Sequence, residues 1–303
     1  MGRMGQGVFF SGQGAQCVGM GRVFYEHSEI MADCFNRAEQ LFPRNLLTLC
    51  FEGPIEELTR TDICQMALYV VGYGAFKILQ RENVLHDLRV CGGFSLGEWT
   101  ALAAASAISF EDGLRAVARR AELMSQACEK NPGAMASLIG GERERIQDLC
   151  REMDVYVSNF NSPQQIVISG LRKNIAEAVA RAAEFGVRRA VPLNVAGAYH
   201  SPFMQDAREQ FAVFVKKLDI QQPLVPVLSN ATGRAMSSPE EIRRNIVGQI
   251  ALPVLWEDCM HEAWQLGVRE FYECGAGKVL VGLAKKNLPE IAALSAEDWV
   301  TMA

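Results

Sequence analysis

Apolar and polar positions along this chain alternate between two periods. Val8–Phe10 is a short apolar run that reads as a strand, and amphipathic stretches of helical period follow to about residue 82. A second apolar run, Leu88–Cys91, ends in glycines and leads into the helix-forming run Trp99–Ala107. Further on, Leu114, Val117, Ala118, Ala121, Met124 and Cys128 share one face at about 100° per residue. That predicts a helix from Ser109 to Cys128, with Asp112 in the place of the Glu of a capping box. Arg119 lies opposite the apolar face and is expected in solvent. Arg120 lies on its flank, from where it can reach a cleft.

The pattern changes between residues 132 and 195. Strand Ala134–Ile139, helix Glu142–Met153, strands Val155–Phe160 and Gln165–Ser169, helix Lys173–Phe185 and strand Val187–Leu193 follow one another. The order βαββαβ is that of a ferredoxin-like unit. Asn131-Pro-Gly133 marks its entry and Gly197 its exit. Beyond it Ser201 and Pro202 fit the start of a helix. Strand Pro226–Ser229, helices Pro239–Gln249 and Trp256–Leu266, and strand Arg269–Glu273 complete the pattern. The expected fold is α/β: a parallel-sheet core built from residues 1–131 and 196–303, interrupted by a small ferredoxin-like subdomain at 132–195.

With 303 residues, 49% of them hydrophobic, the chain can bury a large core. No apolar run is long enough for a membrane span, and Met1 to Gln6 lacks the apolar core of a secretion signal, so a cytoplasmic protein is expected. The nine cysteines are scattered without C-x-x-C pairs, which argues for free thiols and against a disulfide framework or a zinc site. A net charge of −5 argues against non-specific nucleic-acid binding.

The chemistry concentrates at Gly93-Phe-Ser-Leu-Gly97. Ser95 stands between two glycines, with a strand before and a helix after, the arrangement of a nucleophile elbow. The glycines remove side chains where the two backbones approach, and free N–H groups at the helix start suit a developing oxyanion. Of four histidines, His200 is the best base, because it sits just before a helix start that disfavours the imidazolium. His261 falls on an amphipathic helix, while His27 and His86 have no supporting context. Gly12-Gln-Gly-Ala-Gln16 follows a strand, but Cys17 stands where a dinucleotide fingerprint needs its third glycine. Gln13 is instead a candidate oxyanion donor. Gly275-Ala-Gly-Lys278 lacks the first glycine and the Ser/Thr of a phosphate-binding loop.

Together these segments resemble the malonyl-CoA:acyl carrier protein transacylases and the acyltransferase domains of fatty acid and polyketide synthases. The resemblance runs from about residue 7 to 285. It includes Gly12–Gln16, Gly93–Glu98, Arg120 with Leu123-Met124, Gly133–Ala136, Asn159–Pro163, His200-Ser201, Gln249 before Pro253-Val254 and Trp256, and Gly275–Leu280. It implies that Ser95 carries the acyl group and His200 is its base. The Gln249 carbonyl would orient the imidazole, and the N–H groups of Gln13 and Leu96 would form the oxyanion hole. Arg120 would bind the malonyl carboxylate, and Asn161 would lie at the cleft rim. Malonyl-CoA and acyl carrier protein are the implied partners, with no metal or redox cofactor and a monomeric enzyme. Carrier proteins of this kind are acidic, and Lys285-Lys286 is the first choice for their docking surface.

The chain departs from its relatives at Phe94, where they usually carry histidine, at Ser11 in place of proline, and at Ala121 in place of glycine. None of these removes a catalytic atom. Ala198-Tyr199 before His200 resembles the Ala-Phe-His of malonyl-selective members, which favours malonyl over methylmalonyl. Two other readings stand beside this one. In a serine hydrolase of α/β-hydrolase type the base would lie near the C-terminus and would be His261. In a synthase scaffold subunit, carrier binding would persist without turnover.

Overall fold

A computed structural model describes residues 4–302, so Met1 to Arg3 of the Met1 to Gln6 stretch lie outside the described residues. Among the described residues eleven strands form two sheets: β1 (Gly5–Phe10), β2 (Leu88–Gly93), β3 (Gly133–Ile139), β4 (Tyr156–Ser162), β5 (Gln165–Leu171), β6 (Arg189–Pro192), β7 (Val227–Leu228), β8 (Ala235–Met236), β9 (Val254–Leu255), β10 (Val268–Cys274) and β11 (Ala292–Ser295).

The larger sheet has the order β11-β10-β1-β2-β7-β8, parallel except for the final β7–β8 pair. Strand β1 is buried along its whole length, and its side chains feed both faces by the two-residue period of a strand. Val8 and Phe10 join the core formed with helices Thr61–Arg81, Gly97–Ala104 and Phe110–Lys130. Phe9 points the other way, stacking on Phe271 at 4.2 Å and meeting the edge of Trp256 at 6.0 Å. Helices Trp256–Gln265 and Val279–Asn287 cover that second face.

The smaller sheet has the order β6-β3-β5-β4-β9. Its first four strands are antiparallel and carry helices Arg143–Met153 and Arg172–Arg181 over a separate core of Leu138, Ile146, Leu149, Ile168 and Ile175. This is the ferredoxin-like arrangement that the βαββαβ order predicts. Two-residue β9 extends it in parallel with β4, which stitches the small sheet to the chain of the large one.

Three differences from the sequence reading have local causes. Strands β8 and β9 are two residues long and β11 is four, too short to show a period. The expected helix Lys173–Phe185 ends at Arg181 and continues as a 3₁₀ turn, Ala182–Phe185. The capping box is half formed. Ser109 Oγ accepts the Asp112 N–H at 3.1 Å, but the Asp112 carboxylate pairs with Arg115 at 2.7 Å instead of reaching back. Aspartate is one methylene shorter than the glutamate that closes such a box.

The carboxyl ends of β1, β2 and β10 lie side by side, with β2, β7 and β8 added on one side of β1 and the later strands β10 and β11 on the other. Such a switch point opens a crevice at that edge. The two glycines of the elbow are required by backbone crossing there. A Cβ on Gly93 would lie 2.0 Å from the Gly97 carbonyl carbon, and one on Gly97 would lie 2.1 Å from the Phe10 oxygen. Gly97→Ala is therefore expected to destabilise the protein by about 1–3 kcal/mol. Gly282→Ala, in a helix with open space around the new methyl, should gain up to about 1 kcal/mol. Denaturant unfolding of the two variants against the parent checks the contrast.

Candidate active site

Ser95 sits between β2 and helix Gly97–Ala104 with φ of 52°, a left-handed backbone that a residue with a Cβ adopts only when its surroundings hold it. Both of its backbone groups are held by side chains. Its N–H donates to Asn230 Oδ1 at 2.6 Å, and its carbonyl accepts from Gln249 Nε2 at 2.6 Å. Asn230 also donates from Nδ2 to the Gly93 carbonyl at 2.8 Å.

The Ser95 hydroxyl lies 2.7 Å from His200 Nε2. The opposite ring nitrogen, Nδ1, is 2.8 Å from the Gln249 backbone carbonyl, which can only accept, so Nδ1 carries the proton and Nε2 is free to take one. His200 also has a left-handed backbone, with φ of 54°, and Ser201 caps the turn after it by accepting the Phe203 N–H at 3.3 Å. Burial and the nearby Arg120 guanidinium push its imidazole down to about 4. The imidazole is thus neutral at pH 7. Burial dominates this shift, where the sequence pointed to the helix start.

Arg120 is 1% exposed. Its Nη2 donates to Ser95 Oγ at 2.9 Å and to Gln249 Oε1 at 3.0 Å, and Nη1 donates to Gln65 Oε1 at 2.7 Å. All these acceptors are neutral. No carboxylate lies within ion-pair distance among the described residues, and Nε has no partner. Burial lowers the guanidinium to about 10, partly offset by Glu98. Arg119 faces outward and pairs with Glu122 at 2.7 Å.

The cleft above Ser95 has a volume of about 700 Å³. Ser95, Arg120, His200 and the loop Ser11–Gln16 line one side, while Ser137, Asn159, Asn161 and Gln165 of the small sheet line the other. Asn161 is buried, and its Oδ1 has no hydrogen-bond partner. The Leu96 side chain is buried away from the cleft, so only its backbone is of use there. Neither the Gln13 nor the Leu96 backbone N–H has a protein acceptor among the described residues, leaving both available to an oxyanion. Lys286 lines the mouth; Lys285 is exposed beside it but does not line the cleft. His261 is exposed on helix Trp256–Gln265 and lines no part of the cleft.

Four residues of the site escaped the sequence reading. Gln65 is a lone buried amide on the apolar helix Thr61–Arg81, and that isolation was its signal. Asn230 follows a strand end in the polar turn Ser229-Asn-Ala-Thr-Gly233. Glu98 belongs to the elbow motif but is fully buried. Thr61 carries a hydroxyl 2.9 Å from the Tyr199 hydroxyl, and only the fold brings the two together.

A family model described as an acyl transferase domain matches residues 8–297. The chain belongs to the acyl transferase domain family. It is 35% identical over 298 residues to a malonyl CoA-acyl carrier protein transacylase of Bacillus subtilis, covering 97% of this chain and 93% of that protein. Among solved structures it resembles the malonyl-CoA:acyl carrier protein transacylase of Xanthomonas oryzae pv. oryzae, with TM-score 0.92, 34% identity, and 97% and 95% of the two chains covered. It is equally close in shape, TM-score 0.92 at 32% identity over 96% and 95% of the chains, to a malonyl-transacylase solved in complex with a type II polyketide synthase acyl-carrier protein.

Of the three positions that the resemblance marks as unusual, Phe94 and Ser11 line the cleft and Ala121 does not. Phe94 lines the cleft and lies 5.4 Å from Trp256, so an aromatic pair occupies the position beside the nucleophile. Ser11 is buried with its hydroxyl unpartnered, and Ala121 is buried in the core. With its imidazole near 4, His200 stays neutral well below the range of an ordinary histidine. The rate of Ser95 modification by a fluorophosphonate should therefore hold from neutral pH to about pH 5 and fall only as the pH approaches 4. Short pH-jump labelling, read by intact mass before unfolding intervenes, checks it; a break near pH 6.5 would assign the base elsewhere or show it solvated.

Proposed function

We propose that this acyltransferase moves malonyl from malonyl-CoA to Ser95, and from Ser95 to the phosphopantetheine thiol of acyl carrier protein, for fatty acid or polyketide synthesis. The observation that carries the acyl specificity is Arg120: a buried guanidinium with no carboxylate partner, 2.9 Å from the nucleophile. A buried cation facing only neutral dipoles is poorly compensated. A three-carbon acyl group on Ser95 Oγ ends in a carboxylate within reach of that guanidinium, and its arrival supplies the missing counter-charge as a charge-assisted pair. A neutral acyl group supplies nothing.

The steps follow from the contacts. Ser95 Oγ attacks the thioester carbonyl while His200 Nε2 takes the hydroxyl proton. The negative charge moves to the carbonyl oxygen, where the N–H groups of Gln13 and Leu96 receive it. Collapse breaks the C–S bond, and His200 returns the proton to the departing coenzyme A thiol. The carrier thiol then reverses the sequence, giving its proton to His200 and displacing Ser95. A thioester becomes an ester and then a thioester again, so the exchange involves no oxidation and calls for no metal or redox cofactor. Nine free cysteines suit a reducing cytoplasm.

Tyr199, held through its hydroxyl by Thr61, narrows the cleft beside His200 and favours malonyl over its α-methyl homologue. Asn161 lines the small-sheet wall of the cleft, against which the acyl-CoA would lie. Lys286 at the mouth, with Lys285 beside it, offers positive charge to an acidic carrier.

Intact-mass analysis after exposure to malonyl-, methylmalonyl- and acetyl-CoA should show a malonyl adduct that is lost from the Ser95→Ala variant and discharged by carrier protein. Arg120→Ala should lower kcat/KM for malonyl-CoA by about 100- to 1,000-fold, the worth of a buried pair, while acetyl transfer is unchanged or improved. An equal loss for both acyl groups would count against the carboxylate role. Reversing Lys285 and Lys286 to glutamate should raise the carrier KM about tenfold at low salt and leave the malonyl-CoA KM alone; an unchanged carrier KM would place docking elsewhere.

A further inference from the structure

The elbow that presents Ser95 is held by the side chains of two residues, and both residues also bond one buried carboxylate, Asn230 by its backbone N–H and Gln249 by its side chain. Glu98 is 0% exposed. Its Oε2 accepts the Asn230 backbone N–H at 3.0 Å and Gln249 Nε2 at 3.0 Å. Asn230 in turn holds the Ser95 N–H, and Gln249 holds the Ser95 carbonyl. Gln249 also presents its backbone carbonyl to His200 and its side-chain oxygen to Arg120. One carboxylate oxygen therefore sets the position of two residues that touch the nucleophile, the base and the acyl-binding cation.

We propose that Glu98 is a positioning residue for acyl transfer, acting as a fixed double acceptor that registers Asn230 and Gln249 against Ser95, His200 and Arg120. It does not touch the substrate. Its work is geometric, because a nucleophile in a left-handed conformation relaxes once its two backbone anchors drift, and displacements of about 1 Å cost large factors in rate. Acceptor placement matters here more than charge. Only Oε2 is used, while Oε1 has no hydrogen-bond partner. The Glu98–Arg120 attraction acts without direct contact, since no ion pair joins them.

The inference rests on Ser95 being the acyl carrier, and its test separates the two. Three variants divide acceptor from charge. Glu98→Gln keeps an acceptor at full length without charge. Glu98→Asp keeps the charge but withdraws the acceptor by one methylene. Glu98→Leu removes both. For folded variants the expected order of malonyl-CoA kcat is Gln, within about fivefold of the parent, then Asp, about tenfold or more down, then Leu, about 100-fold down, with KM changed far less. Fluorophosphonate labelling of Ser95 should follow the same order. That readout uses no acyl-CoA, so it stands even if malonyl-CoA proves not to be the donor. Should Leu fail to fold, Gln against Asp still decides. Aspartate outperforming glutamine would show that charge is what counts, and Asp equal to the parent in both readouts would show no positioning role; either overturns the proposal.

Discussion

The active site depends on one backbone contortion: Ser95 held at a positive φ between a parallel strand and a helix that starts almost on top of it. A hydroxyl at that point is thrust above the sheet edge, but the conformation is costly for a residue with a Cβ. Two things keep it. Gly93 and Gly97 let strand and helix cross with no room for a methyl group, and the side chains of Asn230 and Gln249 grip the N–H and carbonyl on either side. These anchors come from distant parts of the chain, so the nucleophile is shaped by the whole α/β core.

The legible part of the protein was local. Ser95, its flanking glycines and the strand-then-helix context sit within a dozen residues, and periodicity placed the helix that carries Arg120 with the correct side inward. The ferredoxin-like unit was readable because three of its strands, β3, β4 and β5, are seven residues long, enough to alternate. The illegible part was non-local or too short. Asn230 is ordinary in sequence, a polar residue in a turn, and becomes an anchor only because β7 pairs beside β2. Gln65 and Glu98 are polar groups that the chain buries, and local patterning treats such groups as surface. The structure brings His200 against Ser95, but the cause that the sequence suggested for its neutrality was incomplete, since the depth at which a loop histidine is buried is a tertiary property.

Phe94 shows how a departure beside the nucleophile can leave the machinery whole. The side chain lies against Trp256 and lines the cleft, while its backbone carries the structural duty. Its N–H donates to the Phe10 carbonyl at 2.9 Å and its carbonyl accepts from Gly97 at 2.9 Å. Any side chain that fits beside Trp256 preserves those bonds. The side chain at this position sets part of the cleft lining, while the bonds that hold the turn come from backbone atoms.

The electrostatics of the cleft tie substrate choice to base strength. Burial, and after it the Arg120 charge, opposes protonation of His200, and Arg120 is itself disfavoured by burial. Neutral side chains solvate the guanidinium directly, and its charge is only partly balanced by Glu98 at a distance. In the proposed reaction the malonyl carboxylate supplies that balance, which removes part of the repulsion that an imidazolium would feel at the moment His200 accepts the serine proton. A neutral acyl group leaves the repulsion in place. On that proposal selectivity would arise twice from the same guanidinium: once in binding the distal carboxylate, and again in the proton transfer that a negatively charged acyl group eases.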